Sequence, residues 1–520
     1  MSKDETLSTT STSTITDENN KSSSKVITEE NADFETAISA TGFGLFNLIL
    51  VAVSIPSILA SQLETSSLSY VFPVARCDLD ISLEARGLLN AIVYTGMITS
   101  CFMWGSFIDV FGRRKILVFT HIGGAFFVLI TTFAPNFYVL LVSKFLGGFT
   151  VNGFSMALTP YLSEFHGTQY RASVPIIIGL LFSIANLCLP LLAWSVLPLD
   201  INFGIFGSFE FHAWNLFLFV TTFPTLIAGV LFFLMPESPK YLMSKGNNED
   251  ALQVYRKIFK LNKRQPKENF PFKSLIDDKQ IFQKKYGVRE AWQQISPLFS
   301  LKYAGSLTIV CLLQLFLMMS INSLRLWLPE IFQVINDYEQ DHNKTISFCE
   351  MLGTIKPTTD EESDTCSMNF DNSSVYINSL YVALCAIIGC VIIAIFINKI
   401  GKKTILISLG LIGGITVAAI YFTPNSSTAL GLICVYLMCI GISLDTLIAA
   451  TVDLFPTSLR GSALSVSFMF GRIGSVLGNL ILPILIQAGC APTFFTLAGF
   501  VIGCIILSVF IPNTEHKALG

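Results

Sequence analysis

Charge is what this chain has least of. Only 13% of its 520 residues are Asp, Glu, Lys or Arg, where soluble domains carry roughly 25%. Hydrophobic residues make up 52% and the mean hydropathy is +0.62, which excludes an ordinary water-soluble globule. With 33 cations against 36 anions the net charge is −3, so no basic surplus exists to neutralise phosphates and no nucleic-acid partner is expected. Histidine is scarce at 5, and the 12 cysteines lie mostly inside apolar runs. Without a CxxC pair or a His/Cys cluster, no metal and no other cofactor is expected. No nucleophile elbow, metal-ligand cluster or phosphate loop is present, which argues against an enzyme. The absence of a filter-like repeat argues against a channel. An early apolar core is also missing. Residues 1–41 are polar and Ser/Thr-rich, and they read as a disordered cytosolic tail with no cleavable signal.

Long apolar runs fill most of the rest. A bilayer core of ~30 Å needs about 20 apolar residues in a helix. Runs of that kind fall at 43–66, 87–110, 116–135, 137–162, 173–196 and 214–235, and again at 304–328, 375–397, 403–422, 428–451, 463–487 and 493–511. The fold class is therefore an all-α membrane protein with twelve transmembrane helices in two six-helix bundles, 42–235 and 303–511. Between the bundles runs a basic linker, 236–302, containing one amphipathic helix with Ala251, Leu252, Tyr255, Ile258 and Phe259 on its apolar face. A polar loop, 334–374, follows the seventh span, and 512–520 is a short cytosolic C-terminus.

Orientation follows from the cations. With both termini in the cytosol, the cytosolic segments hold 26 of the 33 Lys and Arg, as the positive-inside rule asks. Loop 334–374 then lies outside the cell or in a lumen. Its sequons at Asn343 and Asn372 are glycosylation candidates, and Cys349 and Cys366 are a candidate disulfide or two free thiols.

The chain also repeats itself. Asp109-x-x-Gly112-Arg113-Arg114 returns as Asn398-x-x-Gly401-Lys402-Lys403, and the pair Glu164 and Arg171 returns as Asp453 and Arg460. The offset is the same in both cases, so two related halves are expected, with a site between them near the midplane.

These motifs resemble the major facilitator superfamily. The pattern Gly105, Asp109, Gly112, Arg113, Arg114 matches the family's loop between spans two and three. Pro236-Glu237-Ser238-Pro239 after span six and Asp453-Leu454-Phe455-Pro456 through Arg460-Gly461 after span ten are further marks. Within that family, Phe211-His212-Ala213-Trp214, Phe223-Pro224 and Leu444-Asp445 resemble the synaptic vesicle glycoprotein 2 and related-protein group, insect members included, with organic ion transporters near by. The loop at 334–374 is much shorter than in the vertebrate vesicle glycoproteins. The resemblance implies a secondary transporter of a small organic solute working by alternating access, with protons a candidate coupling ion. The competing reading is a transporter-like glycoprotein acting mainly through partner binding. The setting is the plasma membrane or an intracellular, synaptic-type vesicle, and a monomer is expected.

Asp109 sits where a helix C-terminus disfavours an anion. The resemblance implies that it meets the N-terminus of span eleven near Gly461, with Arg113 bridging it to Glu164. A cytosolic gate follows, built from Asp109, Arg113, Glu164, Arg171, Asp453 and Arg460. Charges within the spans are costly, at least ~2.5–3.5 kcal/mol each, and mark cavities or pairs. They are Glu64 in span one, Lys144 in span four, Arg325 in span seven, Asp445 in span ten and Arg472 in span eleven. Glu64 can pair with Lys144 or with Arg325, and a carboxylate beside a displaceable cation is a coupling device. Arg472 resembles the span-eleven arginine of organic anion transporters and favours an anionic or zwitterionic solute, unless Asp445 pairs with it.

Overall fold

A computed structural model describes residues 31–79, 81–171, 173–205, 209–276, 296–342, 347–353 and 373–512. Twelve helices among them are long and apolar enough to cross a bilayer. The first six are span one (Leu45–Val74), two (Leu83–Phe111), three (Arg113–Thr132), four (Phe137–Glu164), five (Ser173–Val196) and six (Ala213–Leu234). The second six are span seven (Leu301–Arg325), eight (Ser373–Ile400), nine (Lys402–Ala419), ten (Ser426–Leu454), eleven (Thr457–Ala488) and twelve (Cys490–Val509). Successive spans alternate in direction, so the N-terminal segment, the linker and residue 512 share one face of the bundle, called here the linker face. The opposite side is the loop face.

Local chemistry sets the span ends. Ser82, Asn136 and Asn425 each cap a helix, accepting a hydrogen bond from a backbone N–H three residues on. The joins from span two to three and from eight to nine are single glycines, Gly112 and Gly401, at φ of 101° and 86°. Side chains rarely adopt that conformation. The two joins stand at the repeat offset, so both halves make the same turn.

Several spans run longer than their apolar stretches suggest. Span one continues to Val74 because its polar run is not an end. Ser61, Gln62, Glu64, Ser66, Ser67 and Ser69 are all buried against neighbouring helices. Large apolar side chains such as Phe102, Phe119, Phe126, Ile176, Leu234 and Ile415 project outward around the bundle, the surface a lipid phase requires. The halves meet where span two packs on span eleven and span five on span eight.

The segment just before span one departs from the expected disordered tail. Residues 31–41 are ordered as a two-residue strand, paired in parallel with Ser274–Leu275, and a cap helix, Phe34–Thr41. Asp33 caps that helix, and Phe34, Ala37, Ile38 and Thr41 bury one face at helical spacing. The face rests on the linker helix Asn248–Lys263, whose five buried residues are the five expected from the sequence. Asn262 then ties the junction, accepting from Phe46 N and donating to Gly42 O, both at 2.9 Å. A second departure lies at the loop face. Helix Leu328–His342 continues span seven after a turn at Trp327, and Phe348–Leu352 is a further short helix inside the expected loop.

Candidate functional site

The hairpin between spans two and three carries the first cluster. Arg113 places Nη2 3.0 Å from Asp109 Oδ1 and Nε 3.3 Å from Glu164 Oε2, so it bridges the two carboxylates as expected. Glu164 also accepts from Ser238 Oγ at 2.5 Å. The next linker residue back completes the cluster. Glu237 accepts from the backbone N–H groups of Arg114 at 2.9 Å and Ser238 at 3.0 Å, where span three begins and unpaired N–H groups favour an anion. Its carboxylate lies 2.6 Å from where a Cβ on Gly112 would stand, so this glycine is required for packing as well as for its backbone angle.

One expected partner differs. Asp109 does not reach span eleven: it is held by Arg113, its side chain is 47% exposed, and the space beside Gly461 is open. Arg171, to which the sequence assigns no partner, binds Glu35 of the cap helix through both terminal nitrogens at 3.0 Å, because the segment before span one is ordered and brings a carboxylate to it. In the second half Lys402 pairs with Asp453, while Arg460 donates to Phe455 O at 3.4 Å. Lys402 and Asp453 stand at the repeat offset from Arg113 and Glu164, so the ion pair itself is duplicated.

The second cluster is an acid and a base inside the first bundle. Lys144 Nζ lies 3.1 Å from Glu64 Oε1, with the two side chains 0% and 5% exposed, and Ser67 accepts from Lys144 at 3.4 Å. Of the two candidate partners for Glu64, the structure selects Lys144. Arg325 instead donates to Asn322 Oδ1 at 3.1 Å. A small cavity adjoins Glu64, lined by Ala60 of span one, Gly124 and Val128 of span three, Gly147 and Phe154 of span four and Thr225 of span six. Glu64 therefore faces the interior of its own bundle. Gly147 also differs from its sequence reading as a helix-packing residue, since a Cβ there would overlap Glu64 Oε1. Its neighbour Gly148 does serve packing, letting span four approach the Val93 carbonyl.

The third group lies between the halves. Arg472 and Asp445 do not pair with each other. Arg472 is partly buried on span eleven. Asp445, exposed, has Cys390 Sγ of span eight 3.9 Å from Oδ2. Gln314 of span seven was not foreseen. Its side chain is buried beside Gly471 and neither amide atom has a partner, whereas buried amides are normally satisfied.

At the loop face the halves are joined by residues the sequence did not single out. Arg86 Nη1 of span two lies 2.5 Å from Glu330 Oε1 on the helix after span seven, and both side chains are about nine-tenths buried. Arg86 Nε donates to Ile81 O at 3.1 Å. Glu84 of the same turn accepts from Gln487 of span eleven. A Cβ on Gly87 would meet Asn479 O at 2.6 Å, so the helices touch by backbone. No periodicity marks this seam, because each cation and anion looks like ordinary loop charge until the fold brings them together. The expected Cys349–Cys366 bridge is overturned. Cys349 is joined to Cys490 at the start of span twelve, with Cα atoms 5.4 Å apart. Phe348 beside it packs on Phe494 and donates its N–H to Thr423 O, which carries the short helix to that corner. Cys366, Asn343 and Asn372 lie outside the described residues.

The model of the Major Facilitator Superfamily matches residues 37–478, with a second match at 367–520. Synaptic vesicle glycoprotein 2B of Rattus norvegicus is 20% identical over 94% of this chain and 86% of its own length. The putative transporter svop-1 of Caenorhabditis elegans is 26% identical over 89% of this chain and 80% of its own. Among solved structures, the D-xylose-proton symporter superposes with a TM-score of 0.64 at 15% identity, covering 91% of this chain and 99% of that one. The inward open conformation of the xylose transporter XylE from E. coli gives 0.64 at 16%. Twelve spans in two pseudo-symmetric halves, with the duplicated hairpin motif and its duplicated ion pair, agree with the family match: the chain is a multi-pass membrane protein that belongs to the major facilitator superfamily.

Proposed function

We propose that this protein is a secondary transporter of a small organic anion or zwitterion, moving it by alternating access with its linker face in the cytosol. One observation carries the reading. The halves are bound at the loop face through Arg86–Glu330 and Glu84–Gln487, while at the linker face Asp109 stands apart from an open Gly461. A cleft sealed on one side and unlatched on the other is what one end-state of a rocking pair of bundles requires. In the opposite state Asp109 would close on the start of span eleven, with Arg113 and Glu164 as its fixed support. Arg472 supplies the cation for a carboxylate-bearing solute. Glu64 and Lys144 supply the coupling: a proton on Glu64 releases Lys144, and loss of that proton restores the pair.

The test is uptake into proteoliposomes from a panel of labelled anions, zwitterions, cations and sugars, with and without a pH gradient. Uptake of at least one carboxylate-bearing solute is expected, accelerated by an inward-directed proton gradient. Glu64→Gln is expected to abolish that acceleration while leaving exchange of solute for solute. No uptake across the panel, or uptake indifferent to Arg472→Ala, would overturn the reading.

A further inference from the structure

The linker helix Asn248–Lys263 ends in an unbalanced run of cations. Residues 251–270 hold Arg256, Lys257, Lys260, Lys263, Arg264 and Lys267 against one anion, Glu268. All of these cations but Arg256 are exposed. Among the described residues, none of Lys260, Lys263 and Arg264 meets a carboxylate. The C-terminal end of a helix carries only about −0.5 charge, which does not balance them.

Direct contacts place that end at the boundary of the apolar phase. Asn262 accepts from Phe46 N, and it donates to Gly42 O and to Asn47 Oδ1, each at 2.9 Å. The helix is thereby fastened to the first turn of span one. Lys263 Nζ lies 3.0 Å from where a Cβ on Gly42 would stand. From that level span one turns an apolar stripe outward, with Leu45, Leu48, Ala52 and Ile55 exposed at helical spacing. Next to Gly42, Phe43 is exposed and its ring centre lies 4.9 Å from that of Tyr170, also exposed. Aromatic side chains of this kind gather at the headgroup level of a bilayer. Cations, aromatic rings and the start of a lipid-facing stripe therefore meet within one turn of span one. The positive-inside rule asks for cations somewhere in this segment, but not that they be docked against the entry of a span.

We propose that Lys260, Lys263 and Arg264 form a binding site for an anionic phospholipid of the leaflet at the linker face. The headgroup phosphate meets the cations, and an acyl chain lies along Leu45 and Leu48. Clusters of Lys and Arg directly beside a span attract such headgroups. A choline phospholipid brings an ammonium that the same cations repel, so it is disfavoured. Lipid binding of this kind is independent of what solute the chain carries, or whether it carries one.

The test uses the full chain in detergent micelles doped with equal amounts of phosphatidylserine and phosphatidylcholine, with retained lipid read by native mass spectrometry. Phosphatidylserine is expected to be retained in clear excess. Lys263→Gln with Arg264→Gln is expected to cut that excess by about tenfold. Lys263→Arg with Arg264→Lys is expected to keep it, which separates loss of charge from misfolding. The control is Lys115→Gln with Lys302→Gln, two exposed cations elsewhere on the chain, and it is expected to keep the excess as well. Equal retention of the two lipids by the native chain overturns the site. So does an equal loss in the control pair, which would show a response to overall charge. Displacement of phosphatidylserine by soluble glycerophosphoserine at matched concentration overturns the lipid assignment in favour of a site for free phosphate esters.

Discussion

Replacing Glu330 by glutamine is expected to open the loop face. The pair Arg86–Glu330 joins the halves at 2.5 Å with both side chains about nine-tenths buried. Taking one partner from such a pair leaves the other charge desolvated and costs about 3–5 kcal/mol. Arg86 keeps its bond to the Ile81 carbonyl, and the substituted amide would still offer an acceptor, so the lower figure applies, about 3 kcal/mol. The contact joins residues of opposite halves, so it exists only while the loop face is closed. At 1.4 kcal/mol per tenfold, the loss enlarges the loop-open population by roughly 100-fold. Asn90, one helical turn inward from Arg86 and buried, reports that opening. The measurement is the alkylation rate of Asn90→Cys from the loop face, with the free native cysteines replaced. Glu330→Gln is expected to raise that rate by one to two orders of magnitude. The exchanged pair Arg86→Glu with Glu330→Arg is expected to bring it back toward the starting value. Equal rates with and without Glu330→Gln, in protein that remains folded, would refute the idea that this pair holds the face shut.

Gly147→Ala is expected to push Glu64 from Lys144 and lower stability by about 3–5 kcal/mol, read by thermal unfolding in detergent. Gly124→Ala, beside the same cavity with its nearest atom at 3.3 Å, is expected to cost far less, and equal effects would contradict the assigned role of Gly147. Cys349→Ser and Cys490→Ser are expected to destabilise alike, since the bridge closes a separation of 141 residues and loops of that order are worth about 4–5 kcal/mol in the chain-entropy account. A non-reducing peptide map that links Cys349 to Cys366 instead would refute the pairing. The duplicated ion pairs should differ: Arg113→Gln breaks a pair 12% and 10% exposed, at about 3 kcal/mol. Lys402→Gln breaks one 25% and 42% exposed, at under about 1 kcal/mol. Equal losses in thermal stability would count against that ranking.

The spans were legible because lipid imposes a crude requirement, some twenty apolar residues, that composition reveals directly. The linker helix was legible for a related reason, its five apolar residues lying at helical spacing on one face. The hairpin cluster was readable through its repeat, and Arg113 does bridge Asp109 and Glu164. What stayed hidden depends on distance along the chain. Glu330 lies 244 residues from Arg86, Cys490 lies 141 from Cys349, and Glu35 lies 136 from Arg171. None of these partners has a local pattern to announce it. The polar run of span one misled in another way, because a stretch of serines and a glutamate reads as the end of a helix unless neighbouring helices cover it. The cap helix was concealed by the Ser/Thr-rich composition of the residues before it.

The two halves share a plan but not a firmness, and the difference bears on which one moves. At the linker face the first half secures its hairpin from several sides. Glu164 holds Arg113 and Ser238, Glu237 holds the start of span three, and Tyr161 donates to Pro236 O at 2.6 Å. The cap helix and Asn262 extend that rigidity over the surface. In the second half the equivalent pair is partly exposed, and Lys403 reaches the Val509 and Ile511 carbonyls at 2.6 and 3.0 Å. The first bundle, cap helix and linker helix therefore act as one body. The seams between spans two and eleven and between five and eight are where this body can turn against the other. Arg472 stands on span eleven, which forms one of those seams, so a turn there changes what span two presents beside it. A solute bound at Arg472 would then favour one arrangement of the seam over the other, which couples occupancy to conformation without any further moving part.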